Sequence, residues 1–549
     1  MALSIPQSFH MRHLKDGARS YKGLDEAVTR NIEACSELGS QLKTAFGPNG
    51  MNKLLVNDIG KEFITTDAAT IIHEIAVQHP AAKLLAMAAD YMQNGPGDYV
   101  NTSIILATEL LTGAAELVNS GIKTVEIIES YQRMGETLMS HLSNFVVAQA
   151  KDLHKVEEVK KYIYSPIMAK QLIHADFISE IVAKACVQTS AKSNAFNVDN
   201  IRIVKLPGGT VKDSVVINGM VFNRSSETDV RNVEGARVAL FACPFDITQT
   251  ETKGTVLMSN ATELMEFSSN EEKEVEKQVR ELHEAGVNVV VAAGKFGDLY
   301  NHYLNKYGIM GVRLVSKFDL RRLCRMLCAP AQANICVPSL EHIGQCDKVY
   351  QHELSGHAVI VFEKTGQVGS IASIVVRGPT TLQLNDMERA IDDGINTYKS
   401  LTRDSNLVAG AGAFEIEINR YVEFLASTNS TVEQFILRKF GLAFESIPKQ
   451  LARNAGLNAT ETLAALYTEH KKKNNTAGVD INQSGKVIDA LQLNLFDAFL
   501  PKKIAIQVAI DAACQILSVD QIIMAKLAGG PNPNAARPQD PEGNDDGMA

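Results

Sequence analysis

The sequence predicts a multidomain protein of the α + α/β class, with a mainly helical domain assembled from both ends of the chain. Apolar residues recur at helical spacing over roughly the first 145 positions. Between about 150 and 370, short apolar runs alternate with helical stretches and glycine-containing turns, and from about 380 to 525 the chain is again rich in helices. Two helical ends that flank an α/β insert indicate one domain built from both termini.

The N-terminal region is predicted to contain a long amphipathic helix, a hairpin and further helices. Residues 24–45 form the first helix, which should end at Gly47-Pro48 because proline lacks the amide donor that continues a helix. The runs Lys53–Val56 and Glu62–Thr65 are typical of two hairpin strands. The other predicted helix boundaries in this region are Asp67, Asp98, Gly113 and Asn119–Gly121.

The middle of the chain is predicted to fold around a partly parallel sheet. Asn270 is expected to cap a helix that ends at Gly286, and a strand, a helix and a second strand follow it. Strand-helix-strand order implies parallel strands with helices on the faces of the sheet. The predicted strands are Ile201–Val204, Ser214–Ile217, Val238–Phe241, Val287–Ala292 and Ile309–Val315, with turns at Gly208-Gly209 and Asn218-Gly219.

Composition argues against a nucleic-acid-binding, membrane-spanning or secreted protein. The 549 residues carry a net charge of -9 without a long basic block, which argues against nucleic acid as a partner. No apolar run approaches the roughly 18 residues of a membrane span, and the start Met1–Pro6 lacks the apolar core of a secretory signal. The eight cysteines are scattered without a C-x-x-C pair, which fits reduced thiols in the cytosol. We therefore expect a cytoplasmic protein without a membrane partner.

Three short stretches together indicate a split nucleotide site. They are Thr44–Lys53, Thr65–Ile71 and Gly97–Ser103, and each places glycine or a small residue beside a carboxylate or hydroxyl. Glycine lets backbone amides approach a phosphate, a helix N-terminus adds positive potential, and a carboxylate can hold the accompanying magnesium. None of the three is a G-x-x-x-x-G-K-[ST] loop. Taken singly, Gly47-Pro48 could be an ordinary turn and Asp67 an ordinary helix cap.

In this order the stretches resemble the chaperonin family, in particular the group II form of archaea and the eukaryotic cytosol. The family patterns are T-x-L-G-P-x-G-M-x-K, T-N-D-G-A-T and G-D-G-T-T, and here the second reads Thr65–Thr70. The stretches Asp67–Thr70 and Val77–Lys83 are similar to one particular subunit type of the eukaryotic form. Further along, Leu407–Glu415 resembles V-x-x-G-G-G-x-x-E, and Ala477–Asp480 contains the family's G-V-D.

The resemblance implies three domains that the chain crosses in sequence. A helical equatorial domain holds ATP and makes most ring contacts, a hinge-like intermediate domain is crossed twice, and an α/β apical domain with a helical lid protrusion holds client protein. The implied ranges are 1–147 (equatorial), 148–213 (intermediate), 214–370 (apical, protrusion about 246–268), 371–404 (intermediate), 405–528 (equatorial) and 529–549 (a disordered tail).

The resemblance also implies roles for particular residues. ATP or ADP would bind with Mg²⁺, which Asp98 would hold, and K⁺ is a further candidate cation. Asp67 and Asp393 would orient and activate the attacking water, although Asp392-Asp393 could instead be two solvated acids on a helix. The other implied nucleotide-binding residues are Gly47, Pro48, Tyr99, Val100, Asn101, Thr102, Gly410, Gly412, Gly478 and Asp497.

Departures from the family pattern concentrate in the third stretch. Tyr99 and Val100 replace the second glycine and the first threonine of G-D-G-T-T, while Asn101 keeps a donor at the next position. Ala68 and Ala411 also stand at family glycines. All three acids are present, so we expect nucleotide binding to be kept and hydrolysis to be open to weakening by Tyr99-Val100.

Three functions remain open at this point. The first is an ATP-dependent folding subunit in an eight-membered double ring of paralogues that encloses clients such as actin and tubulin. The second is a ring subunit that binds nucleotide but barely hydrolyses it, and the third is a metabolic α/β enzyme. In the first, Leu264, Met265 and Phe267 of the lid would contact clients, whereas in an ordinary surface loop and helix they would be core.

Overall fold

The computed structural model describes residues 19–21, 24–57, 59–190, 196–246, 260–364, 371–482 and 487–524, without the side chains at 19–26, 261–271 and 523–524. Part of the expected protrusion, residues 247–259, and the expected tail at 529–549 lie outside the described residues. So do the side chains of Leu264, Met265 and Phe267.

The described elements alternate in the order that the sequence predicts, helical first, then mixed, then helical. The helices are α1 (Leu24–Lys43), α2 (Ala68–Glu74), α3 (Pro80–Asn94), α4 (Val100–Asn119), α5 (Thr124–His141), α6 (Val156–Lys170), α7 (Ala175–Thr189), α8 (Ala261–Glu284), α9 (Asp298–Lys306), α10 (Lys317–Leu327), α11 (Thr381–Arg403), α12 (Ala413–Thr428), α13 (Glu433–Phe444), α14 (Ser446–Asn454), α15 (Ala459–Lys471) and α16 (Phe499–Leu517). The strands are β1 (Arg19–Tyr21), β2 (Lys53–Val56), β3 (Glu62–Thr65), β4 (Ala148–Gln149), β5 (Ile201–Pro207), β6 (Val215–Phe222), β7 (Asn232–Phe241), β8 (Val289–Ala292), β9 (Met310–Arg313), β10 (Gly344–Leu354), β11 (His357–Glu363), β12 (Ala372–Gly378), β13 (Asn406–Ala409), β14 (Ala477–Val479), β15 (Val487–Asp489), β16 (Phe496–Ala498) and β17 (Ile522–Met524).

Side chains from both ends of the chain share one hydrophobic core. Its buried members run from Val28 to Leu142 and from Val408 to Leu517. Helix α4 lies among α1, α13 and α16, and β1 pairs antiparallel with β17. Each fully buried large side chain contributes about 1.5–3 kcal/mol, so this shared core holds the two ends together as one helical body.

The predicted hairpin and helix starts of the N-terminal part are confirmed, with one exception at Gly113. Strands β2 and β3 pair antiparallel at the predicted residues. Helix α4, however, continues through Gly113 and ends only at Asn119, two residues before Gly121, which has a φ of 88°. A Cβ at Gly113 would lie 3.6 Å from the Lys439 Cβ, an ordinary van der Waals contact, so the packing of α13 does not require a glycine at this position. The buried apolar residues around it keep the helix intact.

An eight-stranded mixed sheet forms the middle of the molecule, in the order β5-β12-β6-β11-β10-β7-β8-β9. The predicted parallel pairing of β8 and β9 is confirmed, and β7 also pairs parallel with β8. The long antiparallel pair of β10 and β11 was not predicted. The turn predicted at Asn218-Gly219 is wrong, because both residues lie inside β6. Gly219 is needed there for another reason: its Cβ would come 1.8 Å from the Phe362 carbonyl oxygen of the neighbouring strand.

The long helix of the sheet region begins earlier than predicted. Asn260 rather than Asn270 occupies the N-cap position, and α8 runs from Ala261 to Glu284. Asn270 lies inside it because no glycine or proline interrupts the stretch, so the acidic residues that follow Asn270 are mid-helix rather than first-turn residues. The predicted end at Gly286 is confirmed by its φ of 81°.

A layer of three helices lies between the helical body and the sheet. Helices α6, α7 and α11 pack on one another around a second core that includes Ile163, Val182 and Ile391. Helix α11 also contacts β5 and β12 of the sheet. This layer coincides with the two expected crossings of the intermediate domain, whose boundaries stay predictions. In the described ranges, no helix has the length and apolar character to cross a bilayer.

Candidate nucleotide site

A cavity of about 410 Å³ opens between the helical body and the layer of α6 and α11. Its walls come from the loop after α1, the N-termini of α2, α4 and α12, the end of α6, the middle of α11, the segment after β14, and β16. The predicted site residues that line it are Gly47, Pro48, Asp67, Asp98, Tyr99, Val100, Asn101, Thr102, Asp393, Gly412 and Asp497. The fold thus brings the three sequence stretches and the α11 acid to one place.

The loop after α1 is fixed by a side chain that the sequence did not point to. Gly47 has a φ of 80°, and a Cβ there would come 2.6 Å from the Leu451 Cδ2 atom. Asn454, at the end of α14, donates its amide to the carbonyls of Phe46 (2.7 Å) and Lys43 (3.0 Å). The glycine provides the turn and Asn454 holds it, so the loop is set before any ligand binds.

Asp67 is both a helix cap and a cavity residue. Its Oδ2 accepts hydrogen bonds from the Thr70 backbone amide (3.0 Å) and hydroxyl (2.7 Å) at the start of α2. Its Oδ1 accepts one from the Lys170 Nζ at 2.9 Å. Burial raises the pKa of Asp67, but the Lys170 charge and these hydrogen bonds outweigh it and lower the pKa to about 2. Asp67 is therefore a fixed, ionised carboxylate.

Lys170 connects two acids from distant parts of the chain. Its Nζ lies 2.9 Å from Asp67 and 2.6 Å from the Oδ2 of Asp393 on α11. Burial lowers the pKa of Lys170, but the two carboxylates outweigh it and hold that pKa above its ordinary value. No motif surrounds Lys170 at the end of α6, so only its contacts identify it.

The two neighbouring acids of α11 lie in different surroundings. Asp393 is buried, and burial raises its pKa well above the ordinary value even though Lys170 opposes the shift. Asp392 is half-buried, and burial together with Glu388 raises its pKa to about 7. The alternative of two solvated acids is thus wrong for Asp393.

The loop before α4 places Asp98 at the cavity and strains Tyr99. The Asp98 Oδ1 accepts from the Tyr99 amide at 2.6 Å, while burial and the acids Asp497 and Asp67 raise the Asp98 pKa to about 6. Tyr99 has a φ of 63°, in the left-handed region, where a non-glycine residue costs about 1–2 kcal/mol. Its phenol lies against the Ala498 backbone, with Asp497 and Glu415 nearby. The backbone shape therefore explains the family glycine at position 99.

The turn before α12, which forms another wall of the cavity, also has a left-handed backbone at a family glycine position. Ala411, at another family glycine, has a φ of 54°, and Gly412 follows with 82°. Gly410 and Gly478 do not line the cavity but lie behind Ala411: a Cβ at Gly478 would come 2.7 Å from the Ala411 Cβ. These two predicted binding residues therefore shape the wall instead of facing the cavity.

A second lysine lies under this wall. The Lys502 Nζ is 2.6 Å from the Asp497 Oδ2 and 2.9 Å from the Glu415 Oε1, and Lys502 is buried. Burial lowers the pKa of Lys502, but the two acids outweigh it and raise that pKa. Asp497 also accepts from the Ser165 hydroxyl at 3.3 Å. Glu415 and Lys502 were not predicted as site residues.

Helix α11 touches the loops of the helical body at three further points. The Arg389 guanidinium donates to the Thr65 hydroxyl at 2.9 Å, and the Asn396 amide donates to the Gly97 carbonyl at 3.4 Å. The Lys399 Nζ donates to the Gly95 carbonyl at 3.2 Å. These polar contacts hold α11 against the helical body and place Asp393 at the cavity.

The charges suit a nucleotide that carries its own cation. The cavity is lined by six carboxylates and two lysines, so a bare triphosphate would be repelled. Among the described residues, the Asn101 Oδ1 and the Glu415 Oε2 are buried acceptors without a hydrogen-bond partner. Excess carboxylates and unpaired oxygen acceptors fit a hard cation such as Mg²⁺ that arrives with its phosphates, although the described residues contain no cluster of three carboxylate, histidine or cysteine ligands that would hold a metal by themselves.

A family model supplies the independent comparison. Residues 38–527 match the TCP-1/cpn60 chaperonin family. This chain belongs to that family. The match covers both helical ends and the α/β insert, so the expected chaperonin fold is confirmed and the metabolic-enzyme alternative is wrong.

Individual chaperonin subunits match the chain over its whole length. It is 50% identical over 551 residues to T-complex protein 1 subunit theta of Caenorhabditis briggsae and to that of Caenorhabditis elegans, with all of each chain covered. It is 44% identical over 539 residues to the Homo sapiens theta subunit, with 98% of both chains covered. The similarity of Asp67–Thr70 and Val77–Lys83 to one subunit type is thereby confirmed, and that type is theta.

Proposed function

We propose that this chaperonin subunit hydrolyses ATP to drive the binding, enclosure and folding of other proteins. The observation that carries the proposal is the Lys170 bridge, which joins Asp67 of the helical body to Asp393 of α11 inside one cavity. Phosphoanhydride hydrolysis depends mostly on positioning and charge neutralisation, and a site completed by two domains can couple hydrolysis to domain movement.

The two acids suit different roles in such a reaction. Asp67 is held ionised by three contacts, two from Thr70 at the start of α2 and one from Lys170, which suits it to orient a water molecule. The raised pKa of Asp393 makes it the better proton acceptor near neutral pH. Lys170 would hold both carboxylates in place and offer its charge to the terminal phosphate.

The remaining predicted residues divide between phosphate and nucleoside. The Gly47-Pro48 loop and the first-turn amides of α4, from Val100 to Thr102, can bind phosphate oxygens. Bound Mg²⁺, held by Asp98, would neutralise the triphosphate, and K⁺ remains a further candidate. Gly412 and Asp497 lie on the opposite wall, which we assign to ribose and base, with ADP as the product.

We further propose that the subunit works in the eukaryotic cytosol, within an eight-membered double ring of paralogues. Theta-subunit relatives at 44–50% identity support a hetero-oligomer over a ring of one chain. Unfolded proteins such as actin and tubulin would be its clients, and Leu264, Met265 and Phe267 would contact them. The alternative, a subunit that binds ATP but barely hydrolyses it, has only the Tyr99-Val100 departure in its favour, and the comparisons do not favour it.

The test is to tag this chain in its native cells, purify the assembly and measure its mass, its composition and its ATP turnover. We expect several paralogues in equal amounts, a particle near a megadalton, and labelled ATP that is converted to ADP on this chain. Recovery of the chain alone at monomer mass would overturn the ring assignment. A complete ring in which this chain never carries labelled nucleotide would overturn the ATPase assignment.

A further inference from the structure

A fully buried histidine lies near the nucleotide wall without belonging to it. His470, in the last turn of α15, has no exposed surface. Its Nδ1 is 2.5 Å from the Glu417 Oε1, and its Nε2 is 2.8 Å from the Ala477 carbonyl oxygen. The two ring nitrogens thus join α12 to the strand that begins at Ala477, through one carboxylate oxygen and one backbone carbonyl.

The Glu417 carboxylate that contacts His470 also binds an arginine. Arg420 donates to the same Glu417 Oε1 at 2.6 Å and to the His470 carbonyl at 2.9 Å. Glu417 and Arg420 lie one turn apart on α12, the helix that starts at Gly412 in the cavity wall. Arg420, Glu417 and His470 thus form a continuous polar chain from α12 to Ala477, which we name the histidine chain.

The end of the histidine chain is a strand that supports the cavity. Ala477 is the first residue of β14, and the Val479 amide of that strand donates to the Ala411 carbonyl at 2.9 Å. Val479 and the three residues after it, Asp480 to Asn482, line the cavity. A displaced Ala477 carbonyl would therefore shift the wall on which the Ala411-Gly412 turn rests.

We infer that His470 is a positioning residue for the nucleotide: its double hydrogen bond between Glu417 and the Ala477 carbonyl holds β14 in the position that lets the cavity wall bind. The inference rests on the proposed nucleotide binding. The histidine chain does not touch Asp67, Asp393 or Lys170. It should therefore set affinity and leave the rate of the bound nucleotide's hydrolysis unchanged.

A neighbouring network offers a matched control. Glu445 accepts from the Asn419 amide at 3.0 Å and from the Tyr467 hydroxyl, and pairs with Lys449 at 2.7 Å. It is a buried glutamate that ties α15 to α12, as Glu417 does, but its partners do not include β14. Replacing either glutamate with glutamine loosens the same helices, while only Glu417→Gln acts on the Ala477 carbonyl.

The experiment uses assembled rings that carry tagged wild-type, His470→Gln, Glu417→Gln, Glu445→Gln or His352→Gln chains, the last at an exposed histidine. In Glu417→Gln the carboxylate charge that the His470 ring and Arg420 share is lost, which weakens the contact that holds His470 against the Ala477 carbonyl. Photolabelling of the tagged chain with 8-azido-ATP gives the half-saturating concentration, and single-turnover hydrolysis at saturating ATP gives the rate. We expect His470→Gln and Glu417→Gln to raise the half-saturating concentration about tenfold with the rate unchanged.

Each outcome separates this inference from its alternatives. Equal affinity losses in Glu417→Gln and Glu445→Gln would show general loosening and overturn the positioning role. A lower rate at saturating ATP, or an unchanged affinity in Glu417→Gln, would overturn it as well. If His470→Gln chains do not enter rings, the isosteric Glu417→Gln decides alone. A wild-type chain that 8-azido-ATP never labels would instead refute the proposed nucleotide binding.

Discussion

The cavity contains two lysines, each bridging two acids, and the two bridges differ in what they join. Lys170 links a helix cap of the helical body to α11 of the neighbouring layer, through Asp67 and Asp393. Lys502 links Asp497, five residues before it, to Glu415, and all three belong to the helical body. The side chain of Lys170 is 18% exposed and that of Lys502 is 4% exposed. In the proposed function α11 moves, which would open the first bridge, and we call it the movable bridge. The second lies within the helical body, and we call it the fixed bridge.

The largest effect on ATP hydrolysis should come from removing Asp393, the α11 acid of the Lys170 bridge. Asp393→Ala removes the proposed proton acceptor, and we expect single-turnover hydrolysis on this chain to fall by about 10²–10⁴-fold while ATP stays bound. The measurement is conversion of labelled ATP in rings whose other subunits carry a disabled hinge aspartate. Asp392→Ala, at the half-buried neighbour, is the control and should change the rate much less. Loss of ATP binding in Asp393→Ala would show that Asp393 acts in nucleotide binding and not in hydrolysis.

Breaking the fixed bridge should affect stability instead of turnover. Lys502→Met leaves the buried Glu415 and the half-buried Asp497 without a counter-charge, which costs about 3–5 kcal/mol of folding free energy. Urea unfolding of the tagged chain in assembled rings, followed by protease sensitivity, measures the loss. Lys503→Met, one residue along and half-buried with its Nζ 5.9 Å from the Phe499 ring, is the matched control. If Lys170→Met destabilised the chain as much as Lys502→Met, the contrast between the two bridges would be wrong.

The two bridges also show where sequence reasoning succeeds and where it stops. Asp67, Asp98 and Asp393 could be predicted because each lies in a short local pattern that the chaperonin family shares. Lys170 and Lys502 could not, since each lies in an ordinary helix and gains its role only from acids that are far away in sequence or in another element. Long-range partners are fixed by the packing of α6, α11 and α16, which no local pattern reports.

The fold, too, could be predicted where it depends on local sequence and not where it depends on distant contacts. Helices with regular apolar spacing and the strand-helix-strand unit of β8, α9 and β9 were predictable from local periodicity. The error at Gly219 arose because a glycine that marks a turn and a glycine that admits a close neighbour look alike in sequence, and only the Phe362 carbonyl distinguishes them. At Gly113 the helix continues because buried apolar residues lie on both sides of the glycine.

Replacing Asp98, the proposed magnesium ligand, should lower the affinity of this chain for nucleotide. Asp98→Ala leaves the triphosphate facing the remaining carboxylates with weaker cation binding, so we expect nucleotide occupancy of this chain to fall roughly tenfold or more. Chelation of Mg²⁺ with EDTA should lower occupancy of the wild-type chain similarly and have little further effect on Asp98→Ala. Equal sensitivity of both chains to EDTA would assign the metal to another residue.

The smallest expected effect tests the strained loop that lies between the two bridges. Tyr99 spans from the Asp98 side to the Ala498 backbone beside Asp497, in a left-handed conformation that glycine adopts without cost. The double change Tyr99→Gly with Val100→Thr relieves that strain, frees space at the cavity and adds a hydroxyl donor at the start of α4. If the loop slows this subunit, single-turnover hydrolysis should rise by an amount that corresponds to about 1–3 kcal/mol of transition-state stabilisation. Tyr99→Gly alone separates strain and space from the added donor. An unchanged rate in the double variant would mean that Tyr99 and Val100 are harmless, and that the movable bridge alone sets the rate.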